Sequence, residues 1–262
     1  MSWLDAELIA ARLSEKCMRL EYREIVDSTN SLLVREAQLG AAHRTVALAE
    51  WQTAGRGRRG RSWLGGFGDG LTFSLLWRTN RGAAELSGLS LAVGTLLVQG
   101  LRGMGLGQAM VKWPNDILAG DAKLAGVLIE LNGDMQGPSV AVIGIGINVR
   151  GAEGLSAAVG QAVTDLHVFL GDVDRNTLFL RLIEVLDVGL ARFEQDGFAG
   201  FRDNWQACHA FQGREVSVID ARGEVATGIV QGVDEHGALR LRIDGIERAY
   251  HSGEVSLRGP VA

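Results

Sequence analysis

Val111-Lys112-Trp113-Pro114-Asn115-Asp116-Ile117-Leu118-Ala119-Gly120-Asp121-Ala122-Lys123-Leu124-Ala125-Gly126 is the stretch whose reading decides the fold. Short apolar runs near 110–113, 117–119 and 123–131 are interrupted by Pro114 and by Gly120-Asp121. Proline has no N–H to give to a ladder, and a Gly-Asp pair suits a tight hairpin turn. Another apolar run, 140–147, follows a turn-rich segment at 132–138. A mostly apolar stretch, 86–106, lies upstream and is long enough for a helix. Hairpin-linked strands after one long helix predict an α+β fold with a mixed, largely antiparallel sheet rather than alternating βαβ units.

Toward the N-terminus, Ser2 and Asp5 resemble a helix start, with Leu4, Leu8 and Leu13 recurring at roughly helical spacing. A strand is expected over 19–26. Asp27 and Ser28 can cap a helix running to about Leu39, with Gly40 as its stop. Strands are expected at 45–51 and 71–77, and helices at 165–170, 176–195 and 198–207. From Gly213 the pattern changes to short strands at 216–218, 228–233, 238–243 and 248–251, separated by glycine turns. That pattern predicts a compact β-barrel of about fifty residues. The expected domains are therefore 1–210 and 211–262.

Composition narrows the function classes. The chain has 262 residues, 47% hydrophobic and 22% charged, as in an ordinary globular protein. No unbroken apolar run approaches the ~18 residues of a membrane span, and the acidic start is unlike a signal peptide. Cys17 and Cys208 form no C-x-x-C pair, and His43, His167, His209, His236 and His251 are scattered. These features predict a cytoplasmic chain that holds no metal by protein ligands alone. A net charge of −5 argues against a surface that tracks nucleic acid. Of 26 basic residues only Lys16, Lys112 and Lys123 are lysine, which points to places needing a compact ammonium.

Two segments carry chemistry. Gln52-Thr-Ala-Gly55-Arg56-Gly57-Arg58-Arg59-Gly60-Arg61-Ser-Trp63 puts four arginines within six residues among glycines. Glycine lets backbone approach a ligand, and guanidinium groups fork onto phosphate or carboxylate oxygens. Such a loop suits a small polyanion, with a solvated arginine loop or a nucleic-acid arm as the alternative. In the opening stretch, Lys112 and Lys123 stand near Asn115 and Asp116, which equally fits a hairpin with charged edges. Gly144-Ile-Gly146 lacks the third glycine of a dinucleotide fingerprint, and neither a P-loop nor a G-x-S-x-G elbow occurs.

The order Asp27-Ser28-Thr29-Asn30, the arginine loop from Gln52 to Trp63, Lys112 to Asp116, Lys123 to Gly126 and Gly144-Ile-Gly146-Ile-Asn148 resembles that of biotin–protein ligases. The likeness runs from about Arg19 to Arg258, and Ser252 to Leu257 looks like the end of that family's small barrel. It implies a catalytic domain like that of class II aminoacyl-tRNA synthetases with a C-terminal SH3-like β-barrel. The implied activity is formation of biotinyl-5'-AMP from biotin and ATP with Mg2+, then transfer of biotin to a lysine. The implied partner is a biotin carboxyl carrier domain of acetyl-CoA carboxylase or of another biotin-dependent carboxylase.

By the same resemblance Ser28, Thr29 and Gln52 contact biotin, and Asn30 either joins them or braces the turn. Arg56, Gly57 and Arg58 fold over the biotin carboxylate and the α-phosphate, and Lys123 sits where these meet; Lys123 and Arg58 are the implied catalytic groups. Trp63 stacks on adenine or is a core tryptophan, while Arg61, Lys112, Asn115, Asp116 and Asn148 face the nucleotide or its magnesium. The 27 residues before Ser28 are too few for the winged helix of some members, so neither operator DNA nor a membrane is an expected partner. Segment 150–164 matches no motif, and the oligomeric state stays open, a homodimer included. The rivals are a lipoate–protein ligase or octanoyl transferase and a non-catalytic biotin sensor.

Overall fold

The computed structural model describes residues 3–220, 222–252 and 255–258. The chain runs α1 (Ala6–Ser14), β1 (Arg19–Val26), α2 (Thr29–Gln38), β2 (Thr45–Gln52), β3 (Gly70–Thr79), α3 (Leu89–Gly103) and β4 (Ala109–Lys112). It continues through β5 (Asp116–Ala119), β6 (Ala122–Gly133), β7 (Ser139–Asn148), α4 (Ser156–Val159), α5 (His167–Leu170), α6 (Arg175–Asp196) and α7 (Arg202–Cys208). Strands β8 (Glu215–Asp220), β9 (Val225–Val233), β10 (Leu239–Ile243), β11 (Ile246–Tyr250) and β12 (Val255–Arg258) close it. Of the barrel-end segment 252–257, Gly253 and Glu254 lie outside the described residues, as does Ser2. Asp5 caps α1, its carboxylate accepting the Leu8 N–H at 2.9 Å.

The first seven strands form one sheet in the order β1-β2-β3-β7-β6-β5-β4, and the last five form a separate sheet, β11-β10-β9-β8-β12. The second sheet is antiparallel throughout. The first is mixed, because β1 and β2 pair in parallel while its other ladders are antiparallel. Parallel neighbours need a crossover, and α2 supplies it. One βαβ unit therefore stands at the edge of an otherwise meandering α+β sheet.

Strand alternation separates two cores. Val46, Leu48, Leu75 and Ile143 join the main cluster with α3 and α6, whereas Ala47, Leu76 and Val142 pack with Leu32 and Leu33 of α2. A period of two sends neighbouring residues to opposite faces, so both faces of the central strands are covered. α3 and α6 approach closely: a Cβ at Gly189 would lie 2.3 Å from a Leu96 methyl. Truncating a fully buried residue of this layer, such as Leu97, should cost about 2–5 kcal/mol. The stretch 83–103 is long and apolar enough by composition to cross a membrane, although polar residues such as Ser87, Ser90 and Thr95 interrupt its apolar run. In the fold 67% of its most apolar window is buried, as the core helix.

A buried ion pair fixes the base of this layer. Arg175 Nη1 lies 2.6 Å from Glu50 Oε2, with the side chains 4% and 0% exposed. Glu50 Oε1 accepts the Leu4 N–H at 2.7 Å, and Arg175 donates to the Gly70 carbonyl at 3.2 Å. One carboxylate thus ties the N-terminal segment, α6 and β3 to the end of β2. Deleting one partner of such a pair costs about 3–5 kcal/mol, since the other charge stays buried.

The second sheet docks beside β4 and α7. Ala210 N–H donates to the Val111 carbonyl at 2.9 Å, and the Trp113 indole N–H donates to the Gly237 carbonyl at 3.0 Å. At this junction His209 is 2% exposed and stacks on Trp205 with centroids 4.4 Å apart. Neither ring nitrogen of His209 has a hydrogen-bond partner, and burial pushes its pKa down to about 3. Unfolded histidine titrates near 6.5. Between those values the unfolded chain binds a proton that the folded chain does not, so stability falls as pH drops from 6.5 toward 3. Denaturant titrations at pH 7 and pH 5 should show His209→Phe losing about 2 kcal/mol less than wild type over that interval. Equal losses in both proteins would show that His209 is not the group responsible.

Candidate active site

Two loops and three strand ends meet above the first sheet. Ser28 caps α2 with its hydroxyl facing the Ser31 N–H at 3.4 Å, and Ser28, Thr29 and Asn30 are all buried. Gln52, where β2 ends, turns its amide oxygen to this helix start and accepts the Thr29 N–H at 2.8 Å. From β3, the Ser74 hydroxyl lies 2.8 Å from Thr29 Oγ1 and 2.6 Å from Asn30 Oδ1. Asn30 Nδ2 donates to the Leu128 carbonyl at 3.3 Å and to Glu130 Oε2 at 3.0 Å. Both ends of the Asn30 amide are committed within the protein, so of its two roles the brace is the one the geometry fills.

The arginine loop is a narrow hairpin. Gly57 N–H donates to the Arg61 carbonyl at 2.7 Å and Trp63 N–H to the Gly55 carbonyl at 2.8 Å. Arg59 takes the left-handed backbone region at the tip, with φ of 58°. Arg58 Nη1 donates to Asn115 Oδ1 at 3.3 Å, and Nη2 donates to the backbone carbonyl of Ser252, just after β11 of the second sheet. Burial, and then the charge of Arg59, push the Arg58 pKa below the usual arginine value. A cation in that position gains most from an incoming anion.

Lys123 is no free edge lysine. Its Nζ lies 2.6 Å from Asp116 Oδ1, with the side chains only 18% and 15% exposed, and 5.8 Å from the centre of the Trp63 ring. Asn115 Nδ2 donates to the Val127 carbonyl at 2.8 Å. Asn148 Nδ2 donates to the Thr164 carbonyl at 2.9 Å, so this amide holds the 150–164 segment to the end of β7. The same segment pairs with the lysine strand: Lys123 N–H donates to Ala162 and Thr164 N–H donates to Lys123.

Every site residue implied by the resemblance lines one cavity, Ser28, Thr29, Asn30, Gln52, Arg56, Gly57, Arg58, Arg61, Trp63, Lys112, Asn115, Asp116, Lys123 and Asn148, whereas Lys16, the third lysine, lies outside it beside Glu184. The cavity's two ends differ in chemistry, with hydroxyls and an amide around Ser28, Thr29 and Gln52 and positive charge around Arg58 and Lys123. Leu155, Val159, Gln161 and Val163 also line it, from the segment that matched no motif. Gly144 and Gly146 acquire a packing role in place of the dinucleotide role rejected above. A Cβ at Gly146 would lie 2.4 Å from the Trp63 indole, and one at Gly144 would lie 2.1 Å from Asn30 Oδ1. The bare track on β7 is what lets ring and amide lie against the sheet.

Residues 22–148 match the family model described as the biotin/lipoate A/B protein ligase family, and 211–258 match the biotin protein ligase C-terminal domain. The bifunctional ligase/repressor BirA of Escherichia coli is 41% identical over 89% of this chain and 72% of its own length. The biotin–[acetyl-CoA-carboxylase] ligase of Paracoccus denitrificans is 32% identical over 89% of this chain and 98% of its own. The structure of Aquifex aeolicus biotin protein ligase in complex with biotin and ATP aligns with a TM-score of 0.77 and 29% identity, covering 92% and 98% of the two chains. This agreement in sequence and fold, over most of each relative's length, establishes that the chain belongs to the biotin protein ligase family.

Proposed function

We propose that the chain activates biotin with ATP to biotinyl-5'-AMP and transfers the biotinyl group to a lysine of a biotin carboxyl carrier domain. The observation that carries this is the single cavity whose polar end and cationic end meet at Lys123. Ser28, Thr29 and Gln52 take the ureido ring of biotin, and the Trp63 face takes adenine. Arg58 and Lys123 stand at the carboxylate and α-phosphate, with Gly57 allowing backbone to approach them. Arg61, Lys112, Asn115 and Asp116 surround the nucleotide. Asn148 acts by holding the second loop.

In the first step a biotin carboxylate oxygen bonds to the α-phosphorus as the bond to pyrophosphate breaks. Two anions must meet, so fixed cations in a water-poor cavity lower the barrier most. One carboxylate and one amide oxygen, Asp116 and Asn115, suit a Mg2+ that arrives on phosphate rather than one caged by protein. Bound with ATP, such an ion would neutralise charge on the leaving pyrophosphate. In the second step the carrier lysine's amine bonds to the acyl carbon, AMP leaves and the amine loses a proton.

The finer reading has residues 1–210 as a class II synthetase-like catalytic domain and 211–262 as an SH3-like barrel, in a cytoplasmic enzyme that binds no operator DNA. The net charge of −5 and the placement of the main arginine cluster on the cavity support the last point.

Incubating the chain with Mg-ATP, a carrier domain and either biotin or lipoate tests the function. Biotin should release pyrophosphate and add one biotinyl mass to the carrier, and lipoate should do neither; preference for lipoate would overturn the substrate. Lys123→Met should lower pyrophosphate release by about 10²–10³-fold, the cost of removing one preorganised charge. A folded variant with wild-type rates would remove Lys123 from the chemistry. Gly146→Ala should push the Trp63 ring off the sheet and raise KM for ATP at least about fivefold with little change for biotin. Gly144→Ala, which strikes Asn30, should weaken biotin instead, and the same profile from both variants would dissociate Trp63 from adenine.

A further inference from the structure

We infer that Glu130 is a positioning residue for this reaction: its carboxylate clamps Arg56 of the arginine loop to Asn30 of the biotin-end helix, so the two ends of the cavity close as one unit. Glu130 lies on β6 and carries none of the motifs by which the site is recognised. Its Oε1 accepts from Arg56 Nη2 at 2.7 Å, and its Oε2 accepts from Arg56 Nη1 at 3.0 Å and from Asn30 Nδ2 at 3.0 Å. Arg56 Nη1 also donates to the Ser31 hydroxyl at 3.3 Å, so the guanidinium is gripped from α2 and from β6 together.

The chain of contacts continues inward. Asn30 is 3% exposed, and its oxygen faces Ser74 while its nitrogen faces Glu130. An amide fixed at both ends cannot rotate to suit a displaced carboxylate, so the position of Glu130 is set by the core. Arg56 follows, because a carboxylate that accepts both terminal nitrogens fixes the plane of the guanidinium as well as its distance. Thr29 and Ser28 occupy the same helix start as Asn30. The contact that anchors the loop is thus built onto the backbone that presents the biotin-facing hydroxyls.

This changes the division of labour among the arginines. The fork that Arg56 would offer a phosphate or carboxylate is occupied by Glu130. Arg56 is therefore the tether of the loop, and Arg58, together with Lys123 held in the cavity by Asp116, is placed to meet substrate.

The inference rests on the biotinyl-adenylate reading, so wild-type adenylate formation is the first control; its absence would sink that reading, and with it any role for Glu130 here. Glu130→Gln removes the charge and turns one acceptor into an amide donor facing Arg56. With the melting temperature near that of wild type, KM for biotin and the off-rate of biotinyl-AMP should each rise about tenfold, and kcat of adenylation should stay within about twofold. Trypsin should cut the adenylate-bound variant after Arg58, Arg59 and Arg61 faster than it cuts wild type. In an Arg56→Ala background the same substitution should add less than about twofold, since the clamp is already broken. Wild-type values for Glu130→Gln, or fully additive losses in the double variant, would overturn the clamp. Tighter biotin binding by Glu130→Gln would also overturn it, by showing that Glu130 competes with substrate for Arg56. Glu130→Ala should shift the same parameters further in the same direction; where it fails to fold, the glutamine variant decides.

Discussion

Six positive side chains, Arg56, Arg58, Arg59, Arg61, Lys112 and Lys123, line a single cavity, and their mutual repulsion is the constraint that the surrounding structure answers. Two like charges 4 Å apart cost about 4 kcal/mol at the effective dielectric of a protein surface. The fold meets this with carboxylates placed on strands: Asp116 on β5 takes Lys123 and Glu130 on β6 takes Arg56. Both strands belong to the meander β4-β5-β6-β7, so counter-charge comes from paired strands of the first sheet. The arginines come from a loop. A cation cluster held this way is ready for an anion without having to be assembled by it, which is the condition for electrostatic catalysis.

The same meander explains what was legible from sequence. Pro114 and Gly120-Asp121 cut the chain into hairpin lengths, and a long, mostly apolar stretch marked the α3 region, so the antiparallel strands and the core helix followed from local chemistry. The parallel pairing of β1 with β2 did not, because a single crossover through α2 leaves no local mark distinguishing it from a separate helix. In the site, glycine and arginine in one loop are an unusual enough composition to read directly. Glu130 and Ser74 are not, being polar residues in otherwise ordinary strands whose partners lie 74 and 45 positions away in sequence. Segment 150–164 was opaque for another reason. It is held largely by backbone, at Asp69, Lys123 and Asn148, and backbone contacts place little demand on side-chain identity.

Gly144 and Gly146 show how a motif can be rejected for one function and still carry another. A phosphate-binding turn needs glycine for its conformation, and these two lie in a regular strand where conformation asks nothing special. What they supply is missing volume. Trp63 arrives from the arginine loop and Asn30 from the start of α2, and they lie on adjacent positions of one face of β7, which brings the indole ring and the amide brace into register. The spacing of two in Gly144-Ile-Gly146 is the strand period itself, and Ile145 points to the opposite face, into the main core.

The second sheet completes this arrangement from outside. Arg58 gives one nitrogen to the Ser252 carbonyl and another to Asn115, so this arginine links the segment after β11 to the turn between β4 and β5. Trp113, next to Lys112, sends its indole N–H to Gly237, and Leu257 of β12 reaches the cavity wall. His209 is buried at the junction that carries these contacts and stacks on Trp205. Undocking the small sheet would withdraw the Ser252 carbonyl from Arg58 and the Gly237 carbonyl from the Trp113 indole. The docking of the small sheet is therefore a term in the electrostatics of the site, since it sets how much water Arg58 sees before an anion arrives.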